Sequence, residues 1–183
     1  MKITKTNFKD LLICTPNVYE DTRGHFYEAF NLKRFQELSD LLVNFVQDNQ
    51  SFSTYGALRG LHFQKGEMAQ AKLVRVLEGE VLDVVVDLRK EERTFGQSFS
   101  IVLSSENKTQ LYIPRGFAHG FVVLSTKATF FYKCDNYYDK DSEIGLKYND
   151  PHLAINWGLP EKDIILSEKD KQLPDFKTVQ TLL

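Results

Sequence analysis

The segment Leu58–Arg89, "LRGLHFQKGEMAQAKLVRVLEGEVLDVVVDLR", carries one histidine between an arginine and a lysine. His62 follows Arg59 by three positions, and Lys72 begins the apolar run that comes next. Histidine is the side chain best suited to proton transfer near neutral pH. If His62 removed a proton beside a ketone, the resulting enolate would need a positively charged or hydrogen-bonding neighbour, which Lys72 could supply. Tyr132, within "FFYKC", could return a proton from a strand that lines the same cavity.

These three residue types are also common without any catalytic role. A lone histidine near a turn is usually structural or exposed, and a tyrosine in an aromatic run usually belongs to the core. A lysine at the start of a strand is usually solvated. Spacing alone therefore leaves the catalytic and the structural interpretations of His62, Lys72 and Tyr132 both open.

A second glycine-containing turn, "IPRGFAHGF", contains His119. Its residues 114–119 resemble the cupin signature Pro-x-Gly-x-x-His. Metal-binding cupins supply His-x-His from the earlier turn, but here that turn has Gln64 where the second imidazole would be, and an amide is a poor replacement on a transition metal. A site of His62, His119 and Glu67 would be short of ligands. We therefore expect no metal site.

A second group of residues is suited to binding an extended anion. Arg23 and Arg59 each precede a glycine, where a bending backbone lets the guanidinium fork meet a phosphate. The stretch "FVQDNQSFS" offers amide and hydroxyl groups for hydrogen bonds. Phe26, Tyr137 and Tyr138 offer aromatic faces for a nucleobase. Surface arginines and turn-forming Asp-Asn pairs are common, so each signal is weak by itself.

Composition limits the class of protein. The 183 residues carry a net charge of −2 and are 42% hydrophobic, which suits one domain with a substantial core and gives no basic field for nucleic acid. No apolar run is long enough to suggest a membrane span or a secretion signal. Cys14 and Cys134 lack metal-type spacing. We expect a reduced, cytoplasmic protein that binds neither nucleic acid nor membrane.

Strand signals dominate the middle of the chain. Runs rich in valine, leucine and aromatic residues alternate with short polar turns, which predicts three successive hairpins and an antiparallel barrel or jelly roll. The predicted strands are Leu73–Leu77, Val81–Leu88, Phe99–Leu103, Gln110–Ile113, Phe121–Leu124 and Thr129–Lys133.

Two short helices are predicted at the periphery of this barrel. Asn31 would cap a helix over Leu32–Leu42, and Ser167 would cap one over Glu168–Gln172 that stops before Pro174. We therefore expect a mainly β fold in a single domain, residues 1–183. Its barrel core would span about residues 45–135, wrapped by N-terminal strands and the C-terminal helix.

Taken together, the motifs resemble those of the dTDP-4-dehydrorhamnose 3,5-epimerase family, a group of cupin-like jelly rolls. The resemblance runs in order over nearly the whole chain. The blocks that carry it are "DTRGHFYEAF", "FVQDNQSFS", "LRGLHFQ", "AKLVRVLEGEVLDVVVDLR", "TFGQ", "YIPRGFAHGFVVLS", "FFYKCDNYY", "YNDP", "INW" and "LSEKD".

This resemblance implies a cofactor-independent isomerase acting on a dTDP-4-keto-6-deoxyhexose. The protons at C3 and C5 flank the C4 ketone, so each can exchange through an enolate. By resemblance His62 is the base, Asp170 orients its ring, Lys72 stabilises the enolate at the C4 oxygen, and Tyr132 is the acid. Asp170 also fits a Ser-x-x-Asp capping pattern with Ser167, and we expect the dyad and the cap to compete.

The resemblance also implies a substrate-binding set and a homodimer with exchanged N-terminal strands. Arg59 and Arg23 match diphosphate ligands, and Tyr138 matches the aromatic residue that stacks on thymine, with Phe26 as a second face. Because the N-terminal strands are exchanged, Arg23, Phe26 and Glu28 would serve the partner's active site. The further matches are Glu28, Gln47, Asp48 and Asn49 on the nucleotide side, His119 beside the base, and Glu143 and Lys169 at the rim.

Three alternatives remain at this stage. One is a relative that inverts only C3 or only C5 in another deoxysugar pathway, since such enzymes keep much the same residues. Another is a binding protein that holds a nucleotide or sugar without turnover, although a pure binder needs no acid–base set. The third is a metal-dependent cupin oxygenase, which the missing second histidine disfavours.

Overall fold

The chain folds into two facing β-sheets, a projecting hairpin and three short helices. The computed structural model describes every residue, Met1–Leu183. The strands are β1 Lys2–Lys5, β2 Leu12–Thr15, β3 Val18–Asp21, β4 Gly24–Tyr27, β5 Gln47–Thr54, β6 Leu58–Gln64, β7 Lys72–Glu78, β8 Glu80–Asp87, β9 Ser98–Ser104, β10 Gln110–Ile113, β11 Phe117–Val123, β12 Lys127–Cys134 and β13 Glu143–Gly145. The α-helices are α1 Leu32–Ser39, α2 Glu168–Lys171 and α3 Phe176–Gln180.

All the strand pairs are antiparallel. The six-stranded sheet has the order β1-β2-β10-β7-β12-β5, and the five-stranded sheet has the order β13-β6-β11-β8-β9. Strands β3 and β4 form a separate two-stranded hairpin. This is the mainly β, cupin-like antiparallel jelly roll with short peripheral helices that the sequence predicted.

The three predicted hairpins are wrong, because each of those turns carries the chain from one sheet to the other. Strand β7 pairs with β10 and β12, whereas β8 pairs with β9 and β11. The turns after β9 and after β11 likewise join strands of different sheets. A short polar turn between two apolar runs fits a hairpin and a crossing between sheets equally well, so local periodicity does not distinguish them.

Side chains alternate between the barrel interior and the outer faces of the sheets. Val74 of β7 and Val85 of β8 belong to the interior core. Lys72 and Asp83 each lie two residues away on the same strands, so they point into the same interior. The outer face of the five-stranded sheet packs against the C-terminal segment through a second core that includes Trp157. Polar groups are therefore built into one end of an otherwise apolar barrel.

Two motif glycines bring β6 and β11 close together. Gly60 has a φ of 124°, and a Cβ placed on it would lie 2.6 Å from the Cα of Gly120. A Cβ on Gly120 would lie 2.7 Å from the carbonyl oxygen of Arg59. Larger residues would force the strands apart. The register that results makes His62 and His119 direct cross-strand partners.

Helix α1 is shorter than predicted. Asn31 caps it as expected, accepting a hydrogen bond from the Arg34 amide at 3.1 Å. The helix stops because Asp40 adopts the left-handed conformation with φ 61° and returns its N–H to a carbonyl of the last turn. Phe35 is buried against the outer face of the six-stranded sheet, but Leu42 is 94% exposed. Apolar spacing alone overestimated the helix length by extending it to Leu42.

Helix α2 is a single turn at the edge of the barrel. It ends one residue earlier than predicted, since Gln172 serves as its C-cap. The Ser167 hydroxyl caps its start by accepting the Asp170 amide hydrogen at 3.1 Å. None of the helices combines the length and the apolar character that a membrane crossing needs.

Candidate active site

A cavity of about 500 Å³ opens at the polar end of the barrel. One wall, from the five-stranded sheet, carries His62 and His119. The facing wall, from the six-stranded sheet, carries Lys72 and Tyr132. The other polar residues of the lining are Ser51, Arg59, Ser167, Lys169 and Asp170.

His62 and Asp170 form a hydrogen-bonded dyad across 108 positions of sequence. The ring Nε2 lies 2.7 Å from Asp170 Oδ1, and the side chains are 26% and 5% exposed. With Nε2–H donating to the carboxylate, the other ring nitrogen, Nδ1, remains a proton acceptor. The arrangement is that of a base oriented by a carboxylate.

Asp170 serves the dyad and the helix cap at the same time, so the expected competition does not occur. Its backbone N–H satisfies Ser167, whereas its carboxylate faces His62. Burial raises the pKa of Asp170, but the hydrogen bond and charge of His62, with help from the Gly60 amide, outweigh that effect and hold the pKa below its ordinary value. The group therefore stays a carboxylate at neutral pH.

A second histidine–carboxylate pair, which sequence reasoning missed, lies beside the first. His119 Nε2 lies 2.8 Å from Asp83 Oδ2, and both side chains are buried. The other oxygen, Asp83 Oδ1, is buried without a hydrogen-bond partner. Burial raises the pKa of Asp83, and the charges of His119 and Lys72 oppose that rise. The available signal was an aspartate inside the apolar run "VLDVVV", where a charge needs a partner.

Lys72 and Tyr132 lie together on the wall opposite the histidines. The Lys72 ammonium is 5.8 Å from the centroid of the Tyr132 ring. Desolvation lowers the pKa of Lys72, while the negative charges of Glu143 and Asp83 oppose that change. Burial raises the pKa of Tyr132 above its ordinary value. The phenol is therefore protonated at neutral pH and can donate.

Arg59 is fixed at the mouth of the cavity. Its Nε donates to Ser53 Oγ at 2.9 Å, and its Nη2 donates to the Phe52 carbonyl at 3.3 Å. The side chain is otherwise free to face the cavity that it lines. Nearby, the buried Ser51 hydroxyl has no hydrogen-bond partner. The site thus offers a cation and an unused hydroxyl to a ligand.

The three adjacent residues of β5 that were predicted to contact the nucleotide, Gln47, Asp48 and Asn49, do not all face the same side of the strand. Gln47 and Asn49 share the inner face of β5 with Ser51, because residues two apart point the same way. Asp48 points outward and pairs with Lys133 Nζ at 2.8 Å. The structure therefore does not bring Asp48 to the cavity, since neighbouring residues on one strand cannot face the same side.

Three further predicted residues meet at the rim. The Tyr138 hydroxyl donates to Glu143 Oε2 at 3.2 Å, and Lys169 forms an ion pair with the same oxygen. Burial raises the pKa of Glu143, but the Lys169 hydrogen bond and the charges of His62 and Lys169 hold it below its ordinary value. Lys169 directly precedes Asp170 on α2. The rim cluster is therefore continuous with the His62–Asp170 dyad.

The predicted residues of the N-terminal hairpin lie outside the cavity of their own chain. Arg23 forms an ion pair with Asp21 at the hairpin tip, and Phe26 is 69% exposed. Glu28 accepts a hydrogen bond from Asn31, also on the surface. None of the three predicted hairpin residues lines the cavity.

Gln64, at the position of the second cupin histidine, is committed to hydrogen bonds with the backbone. Its Nε2 donates to the carbonyls of Met68 and Tyr137, and its Oε1 accepts from the Asp139 amide. No group of three His, Cys, Asp or Glu side chains in the chain is arranged to hold a metal ion, and Glu67 is exposed. The two cysteines are free and buried.

Comparison with known proteins gives consistent matches over nearly the full length. A family model described as dTDP-4-dehydrorhamnose 3,5-epimerase matches residues 5–178. The dTDP-4-dehydrorhamnose 3,5-epimerase of Salmonella typhimurium is 52% identical over 177 residues, which cover 95% of this chain and 94% of that protein. The crystal structure of the enzyme of that name from Elizabethkingia anophelis has a TM-score of 0.94 at 60% identity and covers 97% of both chains.

A similar structure contains a nucleotide sugar. The dTDP-6-deoxy-D-glucose-3,5-epimerase of Legionella pneumophila, solved in complex with dTDP-4-keto-L-rhamnose, has a TM-score of 0.94 at 49% identity. The alignment covers 99% of this chain and 95% of that one. Sequence and structure therefore agree on the classification that the motifs predicted. The chain belongs to the dTDP-4-dehydrorhamnose 3,5-epimerase family.

Proposed function

We propose that this protein is a dTDP-4-dehydrorhamnose 3,5-epimerase, a carbohydrate isomerase. It converts dTDP-4-dehydro-6-deoxy-D-glucose into dTDP-4-dehydro-L-rhamnose by inverting C3 and C5. The observation that carries this proposal is the placement of the His62–Asp170 dyad on one sheet and of Tyr132 and Lys72 on the other, across a single cavity. Inversion requires a base and an acid on opposite faces of the sugar ring, and two facing sheets supply them.

Each inversion proceeds by one deprotonation and one reprotonation. His62 Nδ1 takes the proton from the carbon beside the ketone, and the electron pair of that C–H bond moves into an enolate with its charge on the C4 oxygen. The Lys72 ammonium donates a hydrogen bond to that oxygen. Tyr132 then delivers its phenolic proton to the opposite face of the carbon. The imidazolium and the phenolate return to their starting states by exchange with water, and no cofactor takes part.

The electrostatics of the site support this division of roles. The lowered pKa of Asp170 keeps a negative charge beside the imidazolium that forms during the reaction. The raised pKa of Tyr132 keeps its proton available until the enolate, a strong base, accepts it. Lys72 is desolvated, so water screens its charge weakly. Its interaction with a developing negative charge in the cavity is therefore stronger than it would be in solvent.

Binding of the nucleotide falls to the mouth of the cavity. Arg59 and Lys169 flank the opening and suit the diphosphate. Tyr138, half of whose surface is exposed, suits stacking on the thymine ring. Gln47 and Asn49 offer amide groups on the same side, and His119 and Glu143 complete the set around the sugar.

We also propose a cytoplasmic homodimer of single-domain chains, residues 1–183, in which the β3–β4 hairpin reaches the partner. The hairpin projects from the barrel with Tyr19 and Phe26 largely exposed, and such an apolar surface usually has a binding partner. Docking there would bring Arg23, Phe26 and Glu28 to the partner's nucleotide site. Sedimentation of the pure protein should give twice the chain mass, and a monomer at micromolar concentration would refute the exchange.

The proposed reaction is tested by proton NMR of dTDP-4-keto-6-deoxyglucose with the enzyme in deuterated water. Deuterium should enter at both C3 and C5, and the downstream reductase should trap the inverted product. Deuterium at one carbon only would identify a single-centre epimerase. Binding without any exchange would identify a binding protein.

The base assignment is tested by His62→Ala, which should lower turnover by about 10²- to 10⁴-fold. His152→Ala is the matched control, since His152 is exposed and lies outside the cavity. Turnover of His62→Ala at the level of the control would exclude His62 as the base.

A further inference from the structure

We propose that Gln64 is a positioning residue that fixes the loop 136–139 and thereby presents Tyr138 to the nucleobase. This inference rests on the proposed function, because it assigns Tyr138 a nucleotide partner. Gln64 itself would touch no part of the substrate. Its role is to hold the backbone from which the stacking ring projects.

Both the nitrogen and the oxygen of the Gln64 side-chain amide form hydrogen bonds with the backbone of this loop. The side chain is 6% exposed, at the end of β6. Its Nε2 donates to the Tyr137 carbonyl at 3.1 Å and to the Met68 carbonyl at 2.6 Å. Its Oε1 accepts from the Asp139 amide at 2.7 Å. Every strong hydrogen-bonding position of the amide except one acceptor lone pair is thus used within the fold.

Two other glutamines hold the same loop. Gln47 Oε1 accepts from the Tyr138 amide at 3.0 Å, and Gln70 Nε2 donates to the Asn136 carbonyl at 2.8 Å. The loop residues 136–139 belong to no strand or helix, so these side-chain amides satisfy backbone groups that a sheet would otherwise pair. Gln64 is the only one of the three that bonds on both sides of Tyr138.

The position of Tyr138 depends on this backbone because its ring is not packed in the core. It is 53% exposed, and its one side-chain hydrogen bond is to Glu143 at the rim. An exposed ring on a short loop keeps a fixed orientation only if the loop is fixed. Preorganisation of this kind lowers the entropy cost of binding.

Glutamine meets the hydrogen-bonding requirement at this position, whereas glutamate and methionine, which are similar in size, do not. The site needs two donors directed at carbonyls and one acceptor directed at an N–H. Glutamate lacks the donors, and methionine of similar size lacks strong groups of either kind. A buried amide at this position therefore serves the loop, which explains the departure from the cupin histidine in physical terms.

The test is Gln64→Met, with Gln36→Met as the matched control. Gln36 also donates its amide to one backbone carbonyl, that of Val43, but it lies on α1 away from the cavity. Stacking of a base on an aromatic side chain contributes enough that misplacing Tyr138 should weaken dTDP binding by about tenfold in calorimetry. KM should rise about as much while kcat changes less than threefold, because the catalytic residues stay in place.

The double variant separates positioning from general destabilisation. In a Tyr138→Ala background, Gln64→Met should have no further effect on dTDP affinity, since the ring it positions is gone. An equal loss in both backgrounds would refute the positioning role. So would wild-type affinity in the single variant.

Amide hydrogen exchange without ligand tests the anchor independently of the proposed function. The Asp139 amide should exchange at least tenfold faster in Gln64→Met than in the wild type. Unchanged protection would overturn the inference even if the protein is an epimerase. Conversely, faster exchange with no dTDP binding by the wild type would locate the failure in the proposed function.

Discussion

Replacing Asp170 by asparagine tests whether the carboxylate acts on catalysis through His62. The Nε2–Oδ1 distance of 2.7 Å and the 5% exposure of Asp170 describe a charge-assisted hydrogen bond with little solvent screening. Bonds to charged groups contribute about 1.5–3 kcal/mol. At 1.36 kcal/mol per factor of ten, their loss in the transition state lowers kcat by about 10- to 150-fold.

Asparagine adds a second effect in the same direction. Its Nδ2 can donate to the ring, which would favour the tautomer with the proton on Nδ1 and remove the accepting atom from the cavity. We therefore expect kcat of Asp170→Asn to fall by at least about 100-fold. KM should change little, because the substitution keeps the shape of the side chain.

The assay is the rate at which deuterium from the solvent enters each carbon of the substrate, C3 and C5 separately, followed by NMR. This rate reports proton abstraction directly. Asp175→Asn is the matched control, because Asp175 caps α3 by accepting the Thr178 amide hydrogen at 2.8 Å and contacts no histidine. Asparagine is an equally good cap. An exchange rate in Asp170→Asn within threefold of the wild type would refute the proposed role of the dyad.

Three further predictions follow from the same geometry. Tyr132→Phe should retain deuterium exchange but lose inverted product by about 10²- to 10⁴-fold, because the base is intact and the acid is gone; equal loss of both activities would contradict the division of roles. Arg59→Ala should weaken dTDP binding in calorimetry, and the loss should shrink at high salt; unchanged affinity would count against a phosphate contact. Asp87→Asn should lower the free energy of unfolding by about 3 kcal/mol at pH 7, because the buried carboxylate accepts from Arg89 and Thr94. Burial raises the pKa of Asp87, but the hydrogen bonds from Arg89 and Thr94 outweigh burial and lower the pKa. The stabilisation is therefore present above about pH 4 and is lost as the pH falls through the folded-state pKa. Urea titrations in which the wild type and Asp87→Asn differ more in free energy of unfolding at acidic pH than at pH 7 would refute this assignment.

The sequence predicted the elements of the fold better than their pairing. Alternating apolar runs predicted β7 and β8 to within one residue at each end. Their assignment to different sheets depends on which face of each strand is buried against which partner. Both strands have two buried faces along much of their length, so the period of two carries no information about the sheet.

The proposed catalytic residues were assigned from the ordered motifs, because spacing alone cannot link residues that lie so far apart in the sequence. His62 and Asp170 are 108 positions apart, and a Ser-x-x-Asp pattern alone favoured a cap. Backbone and side chain of Asp170 serve different partners, which a sequence pattern cannot express. Asp83 was missed although its charge in an apolar strand was visible, because no motif linked it to His119.

Most of the turns between β7 and β12 cross from one sheet to the other, and this has a consequence for how the chain folds. Strands β7 to β12 alternate largely between sheets, so few native pairings can form from neighbouring segments. Loops must close over long stretches before the pairings stabilise them, and such topologies fold slowly. Because Asp170 lies on the late segment that closes the cavity, a nascent chain on the ribosome holds most of the barrel before it acquires the dyad. The His62–Asp170 dyad can therefore form only after the strands that carry the rest of the cavity have been synthesised.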